Sequence, residues 1–251
     1  VGMGLKVAIF PLHLWLPNAY TYAPSAITSF LAATATKVAI YVMLRFLFSV
    51  FQPGFLAEVP TLDLILYPFA ILAMFAASYT AILQRDLKRM LAYSSIGQVG
   101  YMLLGIALLS ESGLMATMIH LFNHGITKAA LFMGVGVYVL NGGGSFYHNL
   151  RGRGKTMPWT SAAMVVAGLS LIGVPGTAGF LSKWLLVEAT LEQGLWPIAL
   201  LIVASSLLAV IYVWKLIETL YLAQPAEGLQ DQNVPLMMMI PLWVMALACI
   251  Y

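Results

Sequence analysis

His120, His124 and Lys128 lie in the middle of an apolar run, and no other feature limits so sharply what this chain can fold into. The run HLFNHGITKAALF, residues 120–132, is apolar on both sides, from Leu114 to Met118 and from Ala129 to Leu140. The three titratable residues recur every four positions, so an α-helix sets them on one face over ~12 Å of its axis. The whole run is long enough to cross a bilayer, with ionisable groups near its middle. Charge at that depth is costly, and the side chains carrying it face other helices or water, where they mark ion or proton pathways. The competing reading is a pair of structural histidines bonded to carbonyls, with Lys128 reaching up to the headgroups. A lysine so far from either end reaches them poorly.

Composition agrees with a membrane chain. Of 251 residues, 61% are hydrophobic and 8% are charged, where soluble domains carry roughly 25% charged residues. Mean hydropathy is +0.91. The expected fold is an all-α polytopic membrane protein with about eight or nine transmembrane helices. The net charge of +3 comes from basic residues in short connecting loops, which read as topology signals and not as a nucleic-acid surface. The single cysteine, Cys249, sits in an apolar run and excludes an internal disulfide or a cysteine metal cluster. No cofactor is expected. Val1 is not an initiator methionine, and both ends fall inside apolar segments. The chain therefore reads as one membrane domain, residues 1–251, from the C-terminal part of a longer protein cut at both ends.

Residues 1–16 read as the end of one span, followed by FPLHLWLPNAYTYAPS, Phe10 to Ser25, whose prolines, tyrosines and Trp15 suit an interface. His13 is either a site residue or, as expected here, an interfacial histidine solvated by headgroups. A second span runs from Ala26 to Phe51 with Lys37 near its centre, flanked by Thr34 and Thr36. Arg45 reads as snorkelling from the helix end. Leu62 to Leu83 forms a third, packing span after Asp63. The link QRDLKRM, residues 84–90, carries Arg85, Lys88 and Arg89 and belongs on the cytoplasmic side. In the fourth span Ser94, Ser95 and Gln98 either hold water or bond neighbouring helices. The glycine-rich loop 141–158 carries Arg151, Arg153 and Lys155 but no phosphate-loop pattern, and reads as a cytoplasmic connection.

Residues 159–194 have Gly173, Pro175, Gly176 and Gly179 amid apolar sequence. This is one interrupted span or two tightly joined ones. A break at membrane depth frees backbone carbonyls and is tolerated where it lines a cavity or is buried in protein. Lys183 follows the break and Glu188 lies five residues on; the two are either an ion pair beside a kink or members of a proton relay. Pro24 before Lys37 and Pro175 before Lys183 make a weakly matched pair of breaks, as repeat-built transporters show. Lys215 and Glu218, three apart, are expected to pair locally. The loop 223–234 carries Glu227 and Asp231, and the methionine-rich last segment lacks the partners a copper site needs.

Four runs occur in order: FPLHLWLPNAYTYAPS…ATKVAIYVMLR, DLKRMLAYSSIGQVGYMLLG, HLFNHGITKAALF and GVPGTAGFLSK. Together they resemble the antiporter-like subunits shared by respiratory complex I, membrane-bound hydrogenases and multisubunit monovalent cation/proton antiporters. The WLPNAYTYAPS wording and the SKWLLVEATLEQG continuation look most like the D-type component of the Mrp-type antiporters. The resemblance implies a proton channel of two inverted repeats, each with an interrupted helix and a lysine. By motif it assigns Lys37 to the first interrupted helix, Lys128 with His120 and His124 to a central relay, and Lys183 to the second interrupted helix. It also implies a glutamate partner for the first lysine in sequence before Val1. The implied partners are other membrane subunits, protons with Na+ or K+, and the lipid of a bacterial cytoplasmic membrane.

The expected activity is then proton conduction along Lys37, His120, His124, Lys128, Lys183 and Glu188 within a sodium or potassium/proton antiporter. The alternative is a proton-pumping subunit of NADH:quinone oxidoreductase or of a membrane-bound hydrogenase, without a redox centre of its own. A stand-alone solute transporter is more remote. Moving a partner charge near a desolvated lysine loads or unloads its proton, and histidines bridge lysines too far apart for direct transfer.

Overall fold

A computed structural model describes residues 2–51, 61–142, 144–224 and 234–250. Within them the backbone is helical, apart from turns and two isolated bridges, Asp86 with Phe146 and Thr177 with Ile250. The longer helices are α1 (Gly2–Val7), α2 (Trp15–Tyr22), α3 (Ser25–Arg45), α4 (Thr61–Leu83), α5 (Leu87–Ala107), α6 (Glu111–Leu140), α7 (Pro158–Ile172), α8 (Ala178–Glu192), α9 (Trp196–Ile217) and α10 (Leu236–Leu247). Glu227 and Asp231, and the side chain of Asp63, lie outside the described residues.

Helix starts follow local chemistry. The Asp86 carboxylate accepts from Arg89 N at 2.9 Å to cap α5, and the Ser110 hydroxyl accepts from Gly113 N at 3.1 Å to cap α6. Glu111 in the first turn of α6 adds a charge that suits the positive helix end. Pro158 opens α7, where its missing N–H costs nothing. Gly173 closes α7 at φ +90°, a left-handed cap that favours glycine.

The bundle is built around α5 and α6. Of the apolar window of α5, 94% is buried, against 39% for α4 and 33% for α9, so α5 is the inner helix and the other two keep an outer face. α6 packs on α3, α5, α7, α8 and α10, and α9 lies against α4, α7 and α8. Two apolar clusters fill the interior. One includes Tyr20, Ala32, Leu91, Ile96, Ala130, Phe132, Leu171 and Tyr212; the other includes Ile40, Val99, Leu103, Ala116, Leu186 and Ile202. Gln98 on α5 and the His120 to Lys128 stretch of α6 fall at the boundary between the clusters, Gln98 between Ile96 and Val99 and the stretch between Ala116 and Ala130, while Ser94 and Ser95 lie one turn before it, between Ala92 and Ile96 of the first cluster. The polar groups are thus held in a layer with apolar packing on either side.

Several expectations change. Among the described residues, four helices are long and apolar enough to cross a membrane: Ser25–Val50, Ile65–Leu83, Leu87–Ala107 and Trp196–Leu222. Eight or nine spans are not reached there. α6, with 30 residues, has the length, about 45 Å, but its histidines, Asn123 and Lys128 dilute its apolar character. α7 and α8 have 15 residues each and α10 has 12, so each is short for a bilayer. The first segment is the six-residue α1. His13, expected among headgroups, is buried, stacked on Phe10 at 5.1 Å between ring centres and edge-on to Tyr93. Burial pushes its imidazole below its ordinary proton affinity. Arg45 is exposed and reaches the Tyr41 hydroxyl at 3.4 Å, as an end-of-helix arginine should.

Lys215 does not pair with Glu218. Its ammonium donates to Ile82 O at 2.9 Å and Gln84 O at 2.8 Å, and lies over the Tyr147 ring. The carbonyls ending α4 lack helical partners and sit at its negative pole; they outcompete an exposed carboxylate for the cation.

Candidate functional site

The polar layer is assembled from four helices around the middle of α6. Lys128 is fully buried, and His124, His120, Lys37 and Lys183 are buried as well. Lys128 donates to Leu91 O at 2.8 Å and to the Ser94 hydroxyl, both on α5. Lys37 donates to Ala32 O of its own helix. His124 lies within electrostatic range of Lys37, Lys128, His120 and Lys183, which makes it the hub of the group.

The second half of the site is the interrupted segment. α7 ends at Ile172, residues 173–177 turn, and α8 begins at Ala178. Lys183 reaches back across this turn and donates to Leu171 O at 3.2 Å and Ile172 O at 2.7 Å. These are the carbonyls freed where α7 stops, at its negative end, so one ammonium satisfies two of them. Gly179 lets the two helix ends meet: a Cβ there would overlap the carbonyl of Ser170. Its N–H donates to the Ser170 hydroxyl at 3.2 Å. From α6, Asn123 donates to Ala178 O at 2.6 Å, and the hydroxyls of Thr127 and Ser170 are 3.2 Å apart. α6 thus holds the break on the same polar face that carries the histidines.

His120 joins the two halves. Its Nδ1 lies 2.8 Å from the Ser182 hydroxyl, which donates to Gly179 O at 3.1 Å. With that hydroxyl proton committed, Nδ1 carries the hydrogen and Nε2 is left as an acceptor. Nε2 of His120 and both ring nitrogens of His124 are buried without a hydrogen-bond partner among the described residues. Beside them, Gln98, His120, Asn123, His124, Thr127, Ser170, Leu171 and Gly179 line a cavity of about 10 Å³, close to the space needed for the centre of one water. A water there would have several polar partners within reach, and water next to histidines is a route for protons.

The structure brings together five of the sequence candidates: Lys37, His120, His124, Lys128 and Lys183. It does not bring in Glu188, which is exposed, while Lys183 is bonded to carbonyls. Five residues on places the carboxylate on a different face of α8 from the ammonium. The chain does break at Pro24, between α2 ending at Tyr22 and α3 starting at Ser25, but Lys37 lies well inside α3, farther from its break than Lys183 is from Pro175; a second break, residues 8–14, precedes α2 after the exposed Lys6. Asn123, Ser182 and Tyr101 belong to the site and were not singled out by sequence. Asn123 and Ser182 stand inside the motif runs, next to candidates, which is the one signal available for them. Among the described residues no group of three His, Cys, Asp or Glu side chains is placed to hold a metal.

Fold and site together define a helical membrane protein with lysines and histidines buried together in its interior. The chain belongs to the NADH:quinone oxidoreductase/Mrp antiporter transmembrane family, whose model matches residues 1–209. It is 38% identical over 262 aligned residues to NADH-quinone oxidoreductase subunit N of Desulforudis audaxviator, covering 99% of this chain and 52% of that protein. It is 33% identical to a chain of the membrane-bound sulfane sulfur reductase, an archaeal respiratory membrane complex, with a TM-score of 0.85 over 99% of this chain and 50% of that one. A chain of the Mrp complex from Dietzia sp. DQ12-45-1b shares the fold at 24% identity and a TM-score of 0.87, covering 98% of this chain and 53% of its own. The chain therefore spans about half the length of the relatives it matches. The particular likeness to the D-type antiporter component read from the motifs is not specifically supported: the family is shared with the Mrp antiporters, but the sequence similarity favours subunit N.

Proposed function

We propose that this chain carries protons through the membrane arm of a complex I-type oxidoreductase, in the manner of a subunit N, and holds no redox centre itself. The observation that carries the reading is the continuity of buried titratable groups from Lys128 through His124 and His120 to Lys183, with no carboxylate among them. Lys37 lies within electrostatic range of both histidines and of Lys128. A cation buried without a counter-charge is expensive, so protonating one lysine disfavours protonating the next. A charge arriving at one end then drives a proton off the other. The hydrogen bonds define resting places: Lys128 on α5, Lys183 on the end of α7, and His120 on Ser182 with its acceptor nitrogen toward the cavity.

The 38% identity to a subunit N supports the oxidoreductase branch. The sodium or potassium/proton antiporter remains the second reading, and the shared fold with an Mrp chain favours it only at the level of architecture. The two differ in what supplies the energy. In membranes holding the full assembly, quinone reduction should acidify one side, while imposed Na+ or K+ gradients should leave proton movement unchanged. Proton movement driven by those gradients without quinone reduction would reverse the assignment. Other membrane subunits are the proposed partners, and the cell membrane of a bacterium the proposed location.

A further inference from the structure

Lys183 has three ammonium protons, and the carbonyls of Leu171 and Ile172 account for two. The third direction is occupied by an aromatic face: Lys183 Nζ lies 4.9 Å from the centre of the Tyr101 ring. Tyr101 is itself buried on α5, with its ring centre 5.7 Å from that of His120. Its hydroxyl donates to the Ser205 hydroxyl at 3.0 Å and lies 3.3 Å from that of Ser206. Ser205 donates in turn to Met74 O and Ser206 to Ile202 O. Both serine protons are committed to carbonyls, so the tyrosine is the donor and its ring is tied at the far end to α9.

We propose that Tyr101 is a positioning residue that completes a three-acceptor seat for protonated Lys183, its ring face occupying the place where, among the described residues, no carboxylate stands. A cation over an aromatic face is stabilised by the ring quadrupole, most strongly where water is excluded. The neutral amine has only two protons to place and gains little from the third acceptor. Tyr101 therefore sets how firmly Lys183 keeps its proton before it passes toward His120. The titratable groups facing Lys183 are His120 and His124 from α6 and Tyr101 from α5, while Lys37 on α3 lies within range of the two histidines and Tyr212 on α9 lies near Tyr101; Glu188 on its own helix is exposed. This inference rests on Lys183 being a member of the proton line.

The test reads Lys183 directly in the full-length protein within its assembled complex. Reductive methylation of Lys183 is followed by peptide mass spectrometry across pH, each variant scaled to its own high-pH plateau so that access does not enter. Tyr101→Phe keeps the ring and should hold the half-reaction pH near that of wild type. Tyr101→Leu and Tyr101→Met remove it and should lower that pH by about one unit, a tenfold weaker hold on the proton. An unchanged midpoint in either ringless variant that assembles, or a Phe variant shifted as far as Leu, overturns the proposal. Proton flux in Lys183→Ala tests the underlying reading separately. If that flux is intact, Lys183 is outside the line, yet the methylation midpoint still reports whether Tyr101 seats it.

Discussion

Lys128 on α6 donates to the hydroxyl of Ser94 on α5, and both residues are completely buried. The same ammonium donates to Leu91 O, which also accepts from Ser94 at 2.9 Å. The three groups close a triangle in which the lysine is held by oxygen atoms alone. Such a seat keeps a lysine in place without fixing its charge, since no carboxylate among the described residues opposes the loss of its proton. That is what a relay group in an apolar interior needs.

Replacing Ser94 by Ala leaves the ammonium with one acceptor. The loss should be about 1–3 kcal/mol of stability, as for a buried hydrogen bond to a charged group. The thermal midpoint of the purified full-length protein should fall, while Ser94→Thr should restore most of it. Equal midpoints for wild type and the Ala variant would mean that Lys128 rests elsewhere.

Gly179 and Gly176 flank the same turn but differ in why they are glycine. At Gly179 a Cβ would overlap Ser170 O, so Gly179→Ala must push α7 and α8 apart, at about 2–3 kcal/mol. At Gly176 there is open space and only the backbone, φ +87°, resists, at about 1–2 kcal/mol. Because Lys183 spans that junction, proton flux should drop sharply in Gly179→Ala and little in Gly176→Ala. Flux measured in reconstituted vesicles decides; the reverse order would show that the close approach of the helices does not matter to the site.

Glu188→Gln should keep proton flux within about two-fold of wild type, because surface charges contribute little and Lys183 is held by carbonyls instead. A large loss of flux with intact assembly would put the carboxylate back into the pathway.

Neutral His13 favours the folded state. Its imidazole is held below the ordinary value of 6.5 by burial, so the unfolded chain takes up more protons as the pH falls below that value. The stability it gives is complete above about pH 6.5 and is lost as pH falls toward the folded value. Thermal melts from about pH 8 to about pH 5 should show His13→Phe losing less than wild type. Parallel curves would contradict this account of His13.

Much of the site was legible because the chemistry is local. The four-residue spacing of His120, His124 and Lys128 on one helix, and the break before Lys183, follow from short stretches of sequence. What the sequence hid is where lysines end. Lys88 donates to Ala23 O at the end of α2, Lys183 to the end of α7 and Lys215 to the end of α4. All three lysines cap helix termini, two of them from other parts of the chain, and local i,i+3 or i,i+5 carboxylates lose to those carbonyls. The count of eight or nine spans is not confirmed among the described residues for a related reason: a helix that carries the polar layer, such as α6, is less apolar than its role in the bundle suggests. Proline and tyrosine richness signals an interface but does not tell that the His13 ring is enclosed by protein, stacked on Phe10 and edge-on to Tyr93, and not solvated by headgroups.

The central claim is that protons pass through Lys128. The direct measurement is proton flux into vesicles holding the full-length chain in its assembled complex, comparing wild type with Lys128→Ala and Lys128→Arg under quinone reduction. The account predicts that flux is lost in Lys128→Ala with assembly intact, and stays low in Lys128→Arg, whose guanidinium does not give up its proton. Wild-type flux in an assembled Lys128→Ala complex would contradict it and leave Lys128 as a structural tie between α5 and α6.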